Sequence, residues 1–285
     1  MGDTPGMSEH TRIVELIHAV SLERHGPARV GAWLADHRAE VLTAVRACDR
    51  VELRGVGTRL AAAVWPAAGM VKDPRWWEEL AEAGEALAIA GRDPATLVDL
   101  LDGAAATFAG HGDRLRAEER WVRALAILRR DGLKDHERGQ AVLSALGGLY
   151  RDWGRLSKAM DAYLEQVDLQ RGLGDPAGTA AALAEVATTM HTAHRLPSAT
   201  DYLDQADEIM SEVTAAGAAT PEVMATHANI LVWCGRTRWE QGHRDAARRR
   251  WSRALAMLVD VDEVGADHVR ALLATEPDGC PEYPD

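Results

Sequence analysis

The sequence has few aromatic side chains besides tryptophan and few stretches in which polar and apolar residues alternate. Its 285 residues include one Phe, four Tyr and nine Trp. Strict alternation is the pattern of a half-buried strand, so its scarcity argues against a sheet. Segments such as 79–91 (ELAEAGEALAIAG) instead repeat apolar residues three and four places apart. That spacing predicts helix throughout the chain and no sheet.

Cysteine and long apolar runs are scarce as well. The three cysteines, Cys48, Cys234 and Cys280, are too few and too scattered for a disulfide framework or a zinc site. No apolar run approaches the length that spans a bilayer, and the first residues, MGDTPGMSEH, lack the basic and apolar regions of a signal peptide. We therefore expect a cytoplasmic protein with no membrane partner.

Positive charge is in short supply: 32 Lys and Arg stand against 44 Asp and Glu, for a net charge of −12. A phosphate backbone requires a basic face, so direct nucleic-acid binding is not expected. The G-x-S-x-G, H-E-x-x-H and glycine-rich dinucleotide motifs are also missing. These absences predict no cofactor, no metal and no catalytic residue, although a site assembled across helices would leave no local motif.

The chain does contain an internal repeat, in which the same small and large residues recur at fixed spacing. A small residue near the eighth position lets the first helix of a unit pass close to its partner. Another near the twentieth lets the second helix pack back, and a large residue four places later fills the gap between units. Frames starting near 57, 98, 140, 180 and 228 give the anchors Leu60-x-x-Ala63…Trp77-x-x-Leu80-x-x-Ala83, Ala104-Ala105…Phe108…Ala117…Trp121-x-x-Ala124, Leu146-Gly147…Tyr150…Ala159…Tyr163, Val186-Ala187…Met190…Ala199…Leu203-x-x-Ala206 and Cys234-Gly235…Ala247…Trp251-x-x-Ala254.

These anchors resemble the tetratricopeptide repeat, although their steps exceed its roughly 34 residues. The resemblance implies a right-handed superhelix of five to six helix pairs. Cap-proline pairs such as Asp93-Pro94 and Asp175-Pro176 mark helix starts. We expect a flexible N-terminus (1–10), N-terminal helices forming a cap or divergent repeat (11–56), the repeat array (57–275) and an acidic, unpacked tail (276–285).

A wider resemblance rests on the segments 31–47 (GAWLADHRAEVLTAVRA), 57–69 (GTRLAAAVWPAAG) and 76–88 (WWEELAEAGEALA). They are similar to the C-terminal repeat region of actinomycete antibiotic-pathway regulators, which join a DNA-binding domain and an NB-ARC-type ATPase to a tetratricopeptide array. The resemblance covers about residues 28–210. No G-x-x-x-x-G-K-[S/T] phosphate loop occurs, so it implies a stand-alone sensor or adaptor array.

In the tetratricopeptide fold, the first helix of each unit lines a concave groove. Transferring its groove positions makes the N-terminal units bland, mostly Ala and Gly, and concentrates polar chemistry toward the C-terminus. There Arg236 could hold a carboxylate and Asn229 a peptide backbone. The alternative makes Trp233 and Trp239 core residues and leaves Arg236 solvated. The predicted groove residues are Arg151, Glu185, Thr188, His191, Asn229, Trp233, Arg236 and Trp239.

Three other groups of residues have both a functional and a structural interpretation. The only basic concentration is either a solvated face or a docking patch for an acidic partner or the acidic tail. His191 and His194 could share a helical face as metal ligands, but no third ligand accompanies them. Asp99 and Asp102 could be paired acids or plain surface. The predicted docking patch consists of Arg244, Arg248, Arg249, Arg250 and Arg253.

Together these features favour a non-enzymatic regulatory or adaptor module that binds a peptide or protein segment. A transcriptional regulator is one candidate partner, and homo-oligomers are compatible with the sequence. The alternative is an enzyme or small-molecule-binding protein of a specialised-metabolite pathway, with a pocket in the superhelix. An enclosed pocket with a perturbed acid or histidine would favour this alternative, and an open trough would favour the adaptor.

Overall fold

The computed structural model describes residues 9–20, 26–130, 136–259 and 261–274, and these residues form α-helices joined by short turns. No strand occurs within these ranges. None of their helices is long and apolar enough to span a bilayer. The described helices are α1 (Glu9–Ala19), α2 (Pro27–Ala47), α3 (Val51–Ala68), α4 (Pro74–Gly91), α5 (Pro94–Gly110), α6 (Arg114–Arg130), α7 (His136–Asp152), α8 (Leu156–Leu173), α9 (Pro176–Thr192), α10 (Leu196–Ala215), α11 (Pro221–Glu240), α12 (Arg244–Leu258) and α13 (Glu263–Ala274).

The predicted helix starts at cap-proline pairs are present. At the start of α9, the carboxylate of Asp175 accepts a hydrogen bond from the Gly178 N–H at 2.9 Å, and Pro176 occupies the first turn. Asp73, Asp93 and Thr220 cap α4, α5 and α11 in the same way. Each cap satisfies an N–H that has no partner within its own helix.

Four of the turns between paired helices use a left-handed residue. Gly112, Gly154 and Gly242 have φ of 83°, 73° and 83°. At the equivalent turn before α10, where the sequence offers no glycine, His194 adopts φ 56°. This conformation strains a residue with a Cβ atom. The proline of this turn, Pro197, lies within the first turn of α10.

The chain divides into two compact units, residues 1–149 and 150–285. In the first unit, α5 packs against α6 with Ala104, Phe108, Ala117 and Ala124 all at 0% exposure, as their frame predicts. The frame that starts near 57 is less accurate. Its anchor Ala63 is half-buried, whereas Ala61, two residues earlier, is fully buried and lies against α4.

In the second unit, α9 packs against α10 and α11 against α12. The anchor Gly235 brings α11 close to α12, because a Cβ atom there would lie 2.2 Å from the Trp251 indole nitrogen. The sequence reasoning did not single out α13 as a separate helix. Its residues Ala266, Val269 and Leu272 are buried and extend the core that contains Trp251.

Candidate functional site

One face of α11 opens onto a cavity in the second unit. Asn229, Trp233 and Arg236 stand three to four residues apart, so their side chains emerge on the same face of the helix. They line a cavity of about 310 Å³ together with side chains from the end of α12 and from α13. The sequence analysis predicted all three as groove residues, and the structure brings them to one cavity.

The cavity has an apolar floor and a polar, open rim. Leu258 is 5% exposed and Val269 is 0% exposed, and both belong to the core of the unit. Asn229 and Asp262 are exposed at the rim. The Asp262 carboxylate caps α13 by accepting the Gly265 N–H at 3.1 Å. This arrangement is an open trough with an apolar base.

Sequence reasoning missed the contribution of α13 to this trough. His268 lines the cavity, and burial lowers its pKa. The signal was present, since Glu263–Ala274 has a clear apolar stripe, but no repeat frame covers it. A terminal helix that covers the last pair is needed because that pair would otherwise expose its core.

Trp233 and Arg236 also belong to a cluster of stacked and paired side chains. The Arg236 guanidinium carbon lies 4.8 Å from the centre of the Trp233 ring, and the His191 ring meets that indole edge-on at 5.5 Å. His191 Nε2 is 2.9 Å from Glu240 Oε2, an ion-pair distance without hydrogen-bond alignment. Burial lowers the pKa of His191, although Glu240 opposes the shift. These contacts fix the Trp233 ring at the trough.

The remaining predicted groove residues form a second polar group in the same unit. Arg151 donates to Glu185 Oε2 at 2.5 Å and to Thr188 Oγ1 at 3.2 Å. The guanidinium also lies 5.8 Å from the centre of the Tyr163 ring. Thr188 precedes His191 by one turn of α9, so this group shares a helical face with His191.

Trp239 does not line the trough, so its predicted groove position is wrong. Its side chain is 2% exposed and packs against Trp251, with ring centres 5.2 Å apart. Three residues separate it from Arg236, but it lies on the side of α11 that faces α12. The structure therefore supports the core interpretation for Trp239 and not for Trp233.

Most of the predicted basic docking patch is engaged within the fold. Arg250 donates to Asp207, and Arg253 lies 3.3 Å from the same carboxylate. His227 Nε2 also donates to Asp207 at 2.8 Å, deep in the core. Burial opposes ionisation of Asp207, but the His227 bond and the two arginines prevail and lower its pKa to about 2. Because Arg250 and Arg253 already pair with the Asp207 carboxylate of the same unit, they are poorly placed to bind a carboxylate of a partner.

The other members of the patch differ among themselves. Arg244 lies over the Trp239 ring at 4.2 Å, and Arg248 donates to the Leu273 carbonyl at 2.9 Å. Only Arg249 and Arg253 of the five are exposed. A continuous docking face is therefore not formed by these five side chains. The acidic tail at 276–285 lies outside the described residues.

In each of the two paired motifs, His191 with His194 and Asp99 with Asp102, the two residues have different partners or surroundings. His191 faces Trp233, whereas His194 is exposed in the turn before α10. The described residues contain no group of His, Cys, Asp or Glu suited to a metal ion. Asp99 forms a two-point ion pair with Arg138, at 2.5 and 2.8 Å. Asp102 instead accepts the Trp121 indole N–H at 2.7 Å.

Comparisons with known proteins agree with this architecture. The sequence matches no family model and no curated protein. The structure is similar to BtubC (BKLC) from P. vanneervenii, with a TM-score of 0.61 and 16% identity over 90% of this chain and 94% of that one. The fold is that of a tetratricopeptide-like helical repeat.

Two further solved structures share this likeness. One is a STAND protein with a tetratricopeptide repeat sensor from Pyrococcus horikoshii, with a TM-score of 0.54 and 14% identity over 92% of this chain and 40% of that one. The other is a Rap protein complexed with Competence and Sporulation Factor, with a TM-score of 0.50 and 12% identity over 93% of this chain and 79% of that one. At these identities the likeness concerns the fold alone.

Proposed function

We propose that this protein is a non-enzymatic regulatory or adaptor module that binds a peptide or protein segment in the trough of its second unit. The observation that carries the proposal is the alignment of Asn229, Trp233 and Arg236 on one face of α11, over an apolar floor. A concave, mostly apolar surface with a few convergent polar groups is the usual form of a recognition site.

Each lining group suits one part of an extended peptide. Arg236 lies over Trp233 with its Nε 3.4 Å from Glu240 Oε1, and its planar guanidinium can donate two hydrogen bonds to the carboxylate of a peptide. The exposed amide of Asn229 can both donate to and accept from a peptide backbone. Val269 and Leu258 offer an apolar base for one side chain. A peptide with a free carboxyl terminus next to an apolar residue would use all three features.

The similar structures support a regulatory role by analogy. One is a Rap protein in complex with Competence and Sporulation Factor, and another carries a tetratricopeptide repeat sensor. The resemblance of residues 28–210 to actinomycete NB-ARC-type regulators points the same way. A partner that belongs to a transcription-control system is therefore the first to test.

The test uses peptides selected on the protein from a random library with free carboxyl termini. Their affinity is measured by isothermal titration for the natural sequence and for Arg236→Ala. We expect Arg236→Ala to weaken binding by about 1–3 kcal/mol, the range of a charge-assisted hydrogen bond. Arg249→Ala is the matched control, because it removes an exposed arginine that does not line the trough.

Two results would refute the role of Arg236 in binding a carboxylate. The first is that Arg236→Ala binds the selected peptides as tightly as the Arg249→Ala control. The second is that amidation of the peptide carboxyl terminus leaves the affinity unchanged. The stability of Arg236→Ala should fall by about 1 kcal/mol, because the change removes the cation–π contact with Trp233 and the ion pair with Glu240. A thermal melt therefore separates a binding defect from unfolding.

One observation favours a small-molecule ligand as the second candidate. His268 lies in the cavity with a pKa lowered by burial, and a perturbed histidine in a pocket often belongs to a ligand site. The volume of about 310 Å³ is at the small end for such sites. If no peptide is selected and a metabolite mixture protects the protein from thermal unfolding in a His268-dependent way, this candidate replaces the adaptor.

A further inference from the structure

The Arg236 guanidinium already has a carboxylate beside it within the second unit. Arg236 Nε lies 3.4 Å from Glu240 Oε1, one turn further along α11. The two side chains are 27% and 34% exposed, so water reaches both of them. An ion pair that is this long and this accessible is weak, and its members can separate at little cost. A carboxylate that enters the trough therefore meets an arginine that an internal carboxylate already attracts.

Glu240 has a second neighbour, which lies on a different helix. Its other oxygen, Oε2, is 2.9 Å from Nε2 of His191 on α9. The His191 side chain is 11% exposed, and its buried Nε2 makes no aligned hydrogen bond. Protonation of the ring would turn this close approach into a contact between opposite charges. Glu240 thus lies between a permanent cation, Arg236, and a cation that depends on pH, His191.

Trp233 connects this charged group to the trough. Its ring lines the cavity, lies 4.8 Å from the guanidinium carbon of Arg236 and meets the His191 ring edge-on at 5.5 Å. With a neutral imidazole, the charges of Arg236, Glu240 and His191 sum to zero. With a protonated imidazole they sum to +1. An anion at Trp233 is therefore attracted more strongly when His191 carries a proton.

The charges around His191 act in opposite directions. Burial lowers its pKa most, Glu240 opposes the shift, and Arg236 and His194 add to it. The helices α8, α10 and α11 pack against α9, and the charged groups that act most strongly on the ring come from α11 and from the turn after α9. If a ligand carboxylate neutralised Arg236, the influence of Glu240 on the ring would be less opposed.

We propose that Glu240 is the internal competitor of the ligand carboxylate at Arg236, and that His191 becomes the partner of Glu240 when a ligand displaces it. The proposal rests on the proposed function, because it requires a carboxylate to enter the trough beside Arg236. When that carboxylate engages Arg236, His191 takes up a proton from the solvent and balances the released charge of Glu240. Glu240 is then a specificity-determining residue, since a carboxylate must compete with it and a neutral ligand need not.

The first test measures this competition by two-dimensional NMR of the ¹⁵N-labelled full chain, followed through the indole N–H resonance of Trp233. The probe is N-acetyl-leucine, which carries one carboxylate and one apolar side chain, and N-acetyl-leucine amide is its neutral counterpart. We expect Glu240→Gln to bind N-acetyl-leucine about three- to fivefold more tightly than the natural protein, as for the loss of a partly exposed ion pair. The affinity for the amide should not change.

Glu208→Gln is the matched control, because it removes an equal charge from an exposed position on α10 that does not line the trough. It should bind N-acetyl-leucine as the natural protein does. Glutamine keeps the shape of glutamate at both positions, so the two variants differ in where the charge is lost.

The second test measures the proton through the ring resonances of His191. In the absence of a probe, the pKa of His191 should fall in Glu240→Gln and rise in Arg236→Ala. Saturating N-acetyl-leucine should raise it in the natural protein. The affinity for N-acetyl-leucine should therefore increase about threefold or more between about pH 8 and pH 5.5, a range in which an ordinary carboxyl group stays ionised.

Two other titratable groups, Asp262 and His268, line the trough, and burial lowers the pKa of His268 as well. Substitutions separate their contribution from that of His191. His191→Gln should remove most of the pH dependence of binding, whereas His268→Gln should preserve it. The opposite result would assign the proton to His268 and overturn the role of His191.

The outcomes distinguish this inference from the proposed function. If selected peptides bind through Arg236 but Glu240→Gln binds N-acetyl-leucine no more tightly than Glu208→Gln, the competition does not exist and the proposed function stands. A His191 titration that is the same in Glu240→Gln and in the natural protein would also overturn the inference. If N-acetyl-leucine binds neither the natural protein nor Glu240→Gln, the inference falls, and the peptide selection decides the proposed function separately.

Discussion

Gly235→Ala tests the packing logic of the repeat most sharply. The added Cβ atom would lie 2.2 Å from Nε1, 2.5 Å from Cδ1 and 2.7 Å from Cε2 of Trp251. Carbon contacts are normally about 3.5–4.0 Å, so the indole must move by about 1 Å. Trp251 cannot move freely, because it is fully buried, stacks near Trp239 and donates Nε1 to the Val232 carbonyl at 3.1 Å.

The expected loss of stability follows from three terms. Overpacking of a core costs about 1–3 kcal/mol. Loss of the buried bond from Trp251 to Val232 adds about 1 kcal/mol. Replacing glycine by alanine in a helix returns about 1 kcal/mol. The last two terms roughly cancel, so Gly235→Ala should lower the free energy of unfolding by about 1–3 kcal/mol.

The assay is urea denaturation followed by far-ultraviolet circular dichroism, with Gly172→Ala as the matched control. Gly172 lies in the last turn of α8, and a Cβ atom there would meet nothing within 4 Å. The control should therefore be neutral or stabilised by up to about 1 kcal/mol. If Gly235→Ala is as stable as Gly172→Ala, the close approach of α11 and α12 does not exist as described, and the anchor assignment fails.

Three further predictions concern the same unit. The pKa of Asp207 is lowered to about 2 from 3.8. The stability that this shift gives is present above about pH 4 and lost as the pH falls through about 2. Between about pH 5 and pH 2 the natural protein should therefore lose about 2 kcal/mol more than Asp207→Asn in denaturation experiments, and equal losses would contradict the pairing with His227. Trp239→Ala should cost about 3–5 kcal/mol as a core truncation, whereas Trp233→Ala should cost clearly less in the same melts, and the reverse order would exchange their roles. His194→Gly should stabilise by about 1 kcal/mol by relieving a left-handed backbone, and a loss of stability would show that the histidine ring contributes more than the strain.

The fold was accessible from sequence because its determinants are local and periodic. Anchors such as Ala117, Phe108 and Trp251 recur at a spacing that only packed helix pairs explain, and all are buried. Cap residues such as Asp175 mark helix starts through chemistry contained within four residues. The frame that starts near 57 failed at Ala63 because neighbouring alanines are indistinguishable in a pattern, and only tertiary packing selects Ala61.

The site was only partly accessible, because a helical register fixes which residues share a face but not what covers that face. The spacing of Asn229, Trp233 and Arg236 puts them on one face of α11, where they line one cavity, and their role in binding stays a prediction. Trp239 was misassigned because α12 supplies a partner ring that the register rule does not include. The docking patch was overestimated for the same reason. Its residues Arg250 and Arg253 pair with Asp207 on α10, more than forty residues away in sequence, and no local pattern predicts such a contact.

The central claim is that the face of α11 around Arg236 receives a peptide. The most direct measurement is a crystal structure of the protein with a peptide selected from the carboxyl-terminal library. The account predicts the peptide carboxylate within hydrogen-bond distance of the Arg236 guanidinium, its backbone at Asn229 and an apolar side chain on the floor formed by Leu258 and Val269. A peptide bound elsewhere in the second unit, with the Arg236 side chain untouched, would contradict it.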